Sequence, residues 1–190
     1  NETDIRIAQK MSKFPLLGEK IENQWNFVLN REFDRGNNRD IFEVQSSENS
    51  IPLFVGKMFH QFTLTGEPSP YYIKESTGRA ILIGKANDDN QIIDYQNYRW
   101  VHRRIARNTD SRTLITTITP RYVFCDNNST TIDLHKSIIS NLEMIFLCGV
   151  CNAFIVDWLL RQKVTTTLNM FYIYQLPIPR LTEKEPYFNE

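Results

Sequence analysis

Tyr98-Arg-Trp-Val-His-Arg-Arg-Ile-Ala-Arg-Asn-Thr-Asp-Ser-Arg-Thr-Leu-Ile-Thr-Thr-Ile-Thr-Pro120 concentrates positive charge in an otherwise balanced chain. Arg99, Arg103, Arg104, Arg107, Arg112 and the following Arg121 face a single acid, Asp110. The whole chain carries 22 basic and 22 acidic residues, so this excess is offset elsewhere. Arg99, Val101, Arg103, Ile105 and Arg107 alternate as a half-buried strand does. Asn108-Thr-Asp-Ser111 is a polar turn cluster. Leu114, Ile115 and Ile118 among threonines form a second strand that Pro120 ends. The pattern predicts a hairpin-like basic ribbon. Arginine suits bidentate contact with phosphate oxygens or guanine edges. The alternative is a solvated strand face whose arginines pair with acids elsewhere, which contributes little.

Outward from the ribbon, bulk properties set limits. A chain of 190 residues can bury a core as one domain. We expect an N-terminal helix and strand segment over residues 1–50, packing on a main domain over residues 51–190. Hydrophobic content of 41% and aromatic content of 12% exclude a disordered chain. Neutral charge excludes a general polyanion sponge but permits a directed basic face. Three cysteines without framework spacing point to reduced thiols and a cytoplasmic setting. No signal peptide is present and the chain starts at Asn1, which suggests a segment of a longer protein. The longest apolar stretch, Leu142 to Leu160, carries Glu143, Asn152 and Asp157, which a membrane helix rarely tolerates.

Local signals predict the remaining elements. Asp4 caps a short helix carrying Ile5, Ala8 and Met11, stopped by Pro15. Trp25 to Phe33 alternates as a strand. Ile51 to Phe62 reads as a strand, a bend enabled by Gly56, and an aromatic segment with Lys57, His60 and Gln61 interleaved. Arg79-Ala-Ile-Leu-Ile-Gly84 reads as a short strand, and Tyr122-Val-Phe-Cys125 as another. Ser140 caps a long apolar helix from Asn141 to about Lys163. Thr165 to Leu176 returns extended, and Pro177-Ile-Pro179 stops it. The expected fold class is mixed α+β, with short, mostly antiparallel strands packed on one long apolar helix.

The usual catalytic signatures are missing. Cys148 and Cys151 lie in an apolar helix with no second pair, so they read as core thiols rather than a zinc or redox site. His60, His102 and His135 are scattered, and no nucleophile–base arrangement stands at a strand-to-helix turn. No glycine lies two residues from another, so the chain has no dinucleotide or S-adenosylmethionine glycine loop. No acid–x–lysine pair and no Pro-Pro pair occur either. We therefore assign no catalytic residue and no metal ligand, and expect no autonomous enzyme.

Four stretches together resemble one family. They are Asp4-Ile-Arg-Ile-Ala-Gln-Lys10 with Arg31-Glu-Phe-Asp34; Pro52 to Phe62; Tyr98 to Arg107 with Arg112-Thr-Leu-Ile115; and Asn152 to Lys163 with Tyr174-Gln-Leu-Pro-Ile-Pro179. They resemble the target-recognition region of large adenine-specific DNA methyltransferases: the type IIG and type ISP restriction-modification enzymes and the BREX phage-exclusion methyltransferases. The helix, extended segment and Leu-Pro-Ile-Pro exit also resemble half-domains of type I specificity subunits. The resemblance covers nearly the whole chain, in order.

It implies a TaqI-type DNA specificity fold and a double-stranded DNA partner. It also implies a separate N-terminal methyltransferase domain of the same parent chain. That domain would bind S-adenosylmethionine and methylate adenine N6, with no cofactor in this fragment. Base readout in the major groove and phosphate contacts would hold the duplex while the adenine is flipped into the catalytic domain. The residues expected to face DNA are Arg99, Arg103, Arg107 and Arg112; then Lys57, His60 and Gln61; then Arg161, Lys163 and Asn169. Two alternatives stand beside this: a protein–protein docking module of a larger complex, and a nuclease or other hydrolase with an unfamiliar site.

Overall fold

A computed structural model describes residues 2–182. In chain order the elements are α1 (Glu2–Met11), β1 (Leu29–Asn30), β2 (Ser50–Phe54), β3 (Phe59–His60), β4 (Thr63–Leu64), β5 (Tyr72–Lys74), α2 (Glu75–Ile83), β6 (Arg99–Arg103), β7 (Thr116–Thr119), β8 (Phe124–Cys125), β9 (Ser129–Ile132), α3 (Asn141–Cys151), α4 (Phe154–Arg161) and α5 (Met170–Tyr174). The class is mixed α+β. A four-stranded sheet runs β1-β9-β6-β7, a three-stranded sheet β5-β2-β8, and β3-β4 form a small hairpin. All pairs are antiparallel except β2 with β8.

The predicted ribbon exists, but shorter and deeper. β6 pairs β7 from Arg99↔Thr119 to His102↔Thr116, and pairs β9 on its other side. It ends at Arg103, so Arg107 and Arg112 lie outside it. Both faces of this sheet are covered. Trp100 packs with Leu29, Ile132, Leu147 and Leu160. Val101 packs on the other side with Phe54, Phe59 and Ile115. Alternation therefore separates two interiors instead of a core from solvent, and burial of Arg99 follows from its place on that strand.

The segment up to residue 50 shares this core. Trp25, Phe27 and Leu29 belong to the same buried cluster as Trp100, with the Phe27 and Trp100 rings edge to face at 5.1 Å. Trp25 to Phe33 is not one strand. Only Leu29–Asn30 forms a ladder, with single bridges at Asn26 and Phe33. Of the expected main domain, residues 183–190 lie outside the described residues.

Three further predicted elements are corrected. Arg79 to Gly84 is not a strand but the end of α2; a short apolar run cannot separate the two periods. Gly78 lets α2 sit against β8: a Cβ there would lie 2.4 Å from Phe124 Cζ. Thr165 to Leu176 is not extended throughout, because Met170–Tyr174 coils into α5. The long helix is two helices, α3 and α4, bent by 62°. Its predicted start holds: Ser140 Oγ accepts from the Glu143 amide while Glu143 Oε2 accepts from the Ser140 amide. Among the described residues no single helix is long and apolar enough to cross a membrane.

Asn152 accounts for the bend. Ala153 turns extended, with ψ of 143°. The Asn152 backbone N–H still donates to Cys148 O, while its side-chain amide pairs with the outer edge of β7. Its Nδ2 donates to Thr116 O at 3.0 Å and its Oδ1 accepts from Thr116 N at 3.2 Å. One side chain thus imitates a neighbouring strand and satisfies the Thr116 amide, which an unbroken helix would leave unpaired.

Candidate nucleic-acid interface

Six of the ten residues expected to face DNA are partly or wholly committed to the protein itself. Arg99 is fully buried. Its guanidinium meets Glu32, donates to Val123 O at 2.6 Å and approaches Cys125 Sγ at 3.6 Å. Glu32 Oε2 also accepts from the Cys125 amide at 2.7 Å. Burial pushes the Glu32 carboxyl up, while Arg99 and the Cys125 amide pull it back. Burial alone would lower Arg99; the nearby carboxyl groups of Glu32 and Asp94 outweigh it and keep the guanidinium protonated. Arg99 is corrected from a DNA contact to an interior ion-pair partner.

Arg112 is likewise corrected. It is buried, donates to Asn152 O, and lies 4.5 Å beneath the Phe154 ring. Asn152 O was freed by the helix break, and Gln61 Nε2 shares it at 3.3 Å. Gln61 and Phe62 form the β3-β4 turn, where Phe62 takes a left-handed φ of 63° and its amide donates to Thr116 O. Gln61 and Arg112 therefore tie a hairpin turn and a helix bend to β7. His60 is half-buried and pairs with Thr63 inside that hairpin.

Arg161 closes the loop between β6 and β7. Its Nε donates to Asp157 Oδ2 at 2.8 Å, and its terminal nitrogens donate to the carbonyls of Asn108, Asp110 and Ser111 at 3.0, 2.6 and 2.6 Å. Asp157 Oδ1 accepts from the Thr113 and Leu114 amides at 2.8 and 2.7 Å. This pair holds the loop's backbone. Lys163 and Asn169 are exposed and distant in role, Lys163 bordering a groove between α1 and α4.

Arg103 and Lys57 do come together. They line an open cleft of about 490 Å³ with Arg35, Tyr71, Ile105 and Asn128. Among the described residues the lining holds three cations and no carboxylate. Arg103 donates to Phe59 O, lies 5.4 Å over the Phe59 ring, and has no acid partner among the described residues; burial lowers its pKa. Arg35 reaches Asp126 at 2.6 Å from behind the cleft, with its side chain 42% exposed, and lies 5.8 Å over the Tyr71 ring. Lys57 meets Glu67 at 3.6 Å, both more than half exposed, so the contact is weak and exchangeable. Gly56 has an ordinary φ, and a Cβ there would meet Arg103 Cγ at an ordinary 3.6 Å, so the expected glycine-enabled bend does not require glycine.

Behind the sheet, His102 is fully buried and pushed down to about 4 by burial, despite the Arg103 carbonyl at its Nδ1. It is therefore neutral and no general base for the cleft. A second hollow, of about 430 Å³, is lined by Glu32, Asp94, Asp133, His135 and Lys136. Its carboxylates repel a polyanion. Among the described residues no group of three metal-ligating side chains converges. Cys148 and Cys151 are buried free thiols that burial pushes up, which disfavours the thiolate a metal needs.

Arg35 and Tyr71 escaped sequence reasoning. Arg35 sits in a polar loop and Tyr71 beside two prolines, and neither carries a periodic or motif signal. No protein-family model matches the chain, and no curated protein matches it closely enough to count as a relative.

Proposed function

We propose that this chain is the sequence-specific DNA-recognition part of an adenine-specific methyltransferase of a restriction-modification or phage-exclusion system. The observation that carries the proposal is the cleft of Arg35, Lys57 and Arg103, which gathers positive charge in a neutral chain without a lining carboxylate. Tyr71 and Ile105 give it an apolar floor beside the charges. Such a surface holds phosphates, and base edges are then read from neighbouring side chains. The four-stretch resemblance supplies the methyltransferase context. The chemistry and S-adenosylmethionine belong to the parent chain's N-terminal domain, and this fragment itself transfers no methyl group. Three unpaired thiols accord with a cytoplasmic setting.

The test is fluorescence anisotropy of a labelled, randomised duplex pool at low salt, with wild type beside Lys57→Glu. Lys57 is exposed, so charge reversal leaves the fold intact. Binding that Lys57→Glu abolishes is expected. Absence of binding by wild type refutes the proposal.

A docking module is the second reading, and one surface favours it. Ile138 before α3, Leu142 and Ile145 on it, and Phe154 at the start of α4 are 70%, 49%, 59% and 82% exposed. A covering protein domain would bury them. This face and the cleft use different residues, so a domain partner and DNA can coexist.

A further inference from the structure

Within the basic ribbon, arginines divide by what they touch. Arg99, Arg103, Arg112 and Arg121 each donate to a backbone carbonyl: Val123, Phe59, Asn152 and Gln96. They act as clamps. Arg107 is different: it is exposed, and its guanidinium has no hydrogen bond or ion pair among the described residues, while Arg104 is half-buried with its Nε unpaired. Asn108 and Thr109 beside Arg107 are exposed, and their side chains have no hydrogen bond among the described residues.

The backbone beneath these free side chains is fixed. The Arg107 amide donates to Asp110 Oδ2 at 3.0 Å, and the Asp110 amide returns to Arg107 O at 3.2 Å. Thr113 Oγ1 donates to the same carbonyl at 3.1 Å. Arg161 takes the carbonyls of Asn108, Asp110 and Ser111, and Asp157 anchors the exit. On the entry side the Ala106 amide donates to Thr166 O, and Ile105 bridges Thr167. A rigid turn that presents mobile side chains loses little entropy in the backbone on binding.

We propose that Arg107 and Asn108 are specificity-determining residues that read base edges in the major groove, while the Arg35–Lys57–Arg103 cleft holds the backbone. This rests on the DNA reading above. The side-chain types fit. Arginine pairs bidentately with guanine O6 and N7, and asparagine with adenine N6 and N7. The spacing fits as well. Arg107 follows Arg103 by four residues, at most about 14 Å of chain, and the groove is about 12 Å wide. One duplex can therefore rest its backbone in the cleft and admit the turn. Arg161 does not read DNA itself; it positions the turn.

The experiment selects binders from a duplex pool with a randomised centre, using wild type, Arg107→Ala and Arg107→Lys. The enriched wild-type sequence and a scrambled one are then compared at several salt concentrations. Arg107→Ala is expected to lose roughly 10- to 100-fold on the enriched sequence while scrambled affinity and salt slope stay unchanged. Arg107→Lys keeps the charge without the fork, so it should lose the same discrimination and confirm that charge alone is insufficient. Melting curves of both variants should match wild type. Equal weakening on both sequences, with a salt slope lower by roughly 1, makes Arg107 a phosphate contact and overturns the inference while DNA binding stands. Unchanged discrimination by both variants also overturns it. If wild type binds neither pool nor enriched sequence, the DNA reading itself fails.

Discussion

Arg99→Met separates an interior arginine from a surface one. The substitution keeps the aliphatic stem and removes a guanidinium that is wholly enclosed and faces Glu32, itself 1% exposed at the side chain. Breaking a buried pair by removing one partner costs about 3–5 kcal/mol, because the other charge stays buried without compensation. For a chain of this size that corresponds to a melting midpoint lower by about 6–20 °C. The loss depends on pH. Burial already raises the Glu32 carboxyl, and without Arg99 it rises further. An acid whose folded pKa lies above its unfolded value favours folding at low pH and loses that contribution as pH climbs through the folded value. The variant's deficit is therefore smallest in mild acid and grows toward neutral pH. Adding Glu32→Gln keeps an acceptor for the Cys125 amide and removes the stranded charge, so the double variant should recover most of the loss. Urea unfolding at pH 5 and 8 measures all of this. Arg107→Ala is the control and should stay within about 0.5 kcal/mol of wild type. An Arg99→Met protein as stable as wild type at both pH values would refute the interior-pair account.

Asp157→Ala should destabilise by about 2–6 kcal/mol, since two amides lose their acceptor at about 1–3 kcal/mol each; hydrogen exchange of Thr113 and Leu114 should quicken in step. Gly78→Ala should cost about 1–3 kcal/mol by overpacking against Phe124, read as a lower urea midpoint with unchanged slope. Purified protein should carry no stoichiometric zinc by elemental analysis; near one zinc per chain, released on unfolding, would show that Cys148 and Cys151 are not inert core thiols.

Much of the fold was legible where local chemistry acts alone. The Ser140 cap, the presence of α1 and the β6-β7 pairing each follow from short-range signals, although α1 begins at Glu2 and Asp4 lies inside its first turn instead of capping it. The helix bend was not legible, because nothing near Asn152 in sequence reveals that Thr116 needs a partner 36 residues away. The arginines show the same limit. Alternation placed Arg99 and Arg103 on one face correctly, but periodicity does not say that this face is covered. Arg103 and Lys57 were found through their charge. Arg35 and Tyr71 reach the cleft by tertiary folding alone.

The most direct measurement is the salt dependence of affinity for a duplex, wild type against Lys57→Ala. If the cleft holds the phosphate backbone, log K falls linearly with log salt, and loss of Lys57 lowers the slope by roughly 0.9 for the one phosphate released. Melting midpoints should not move, since Lys57 is exposed and its contact with Glu67 is weak. A wild-type protein that binds no duplex at about 50 mM salt, where phosphate contacts are strong, would contradict the account, as would a Lys57→Ala slope identical to wild type.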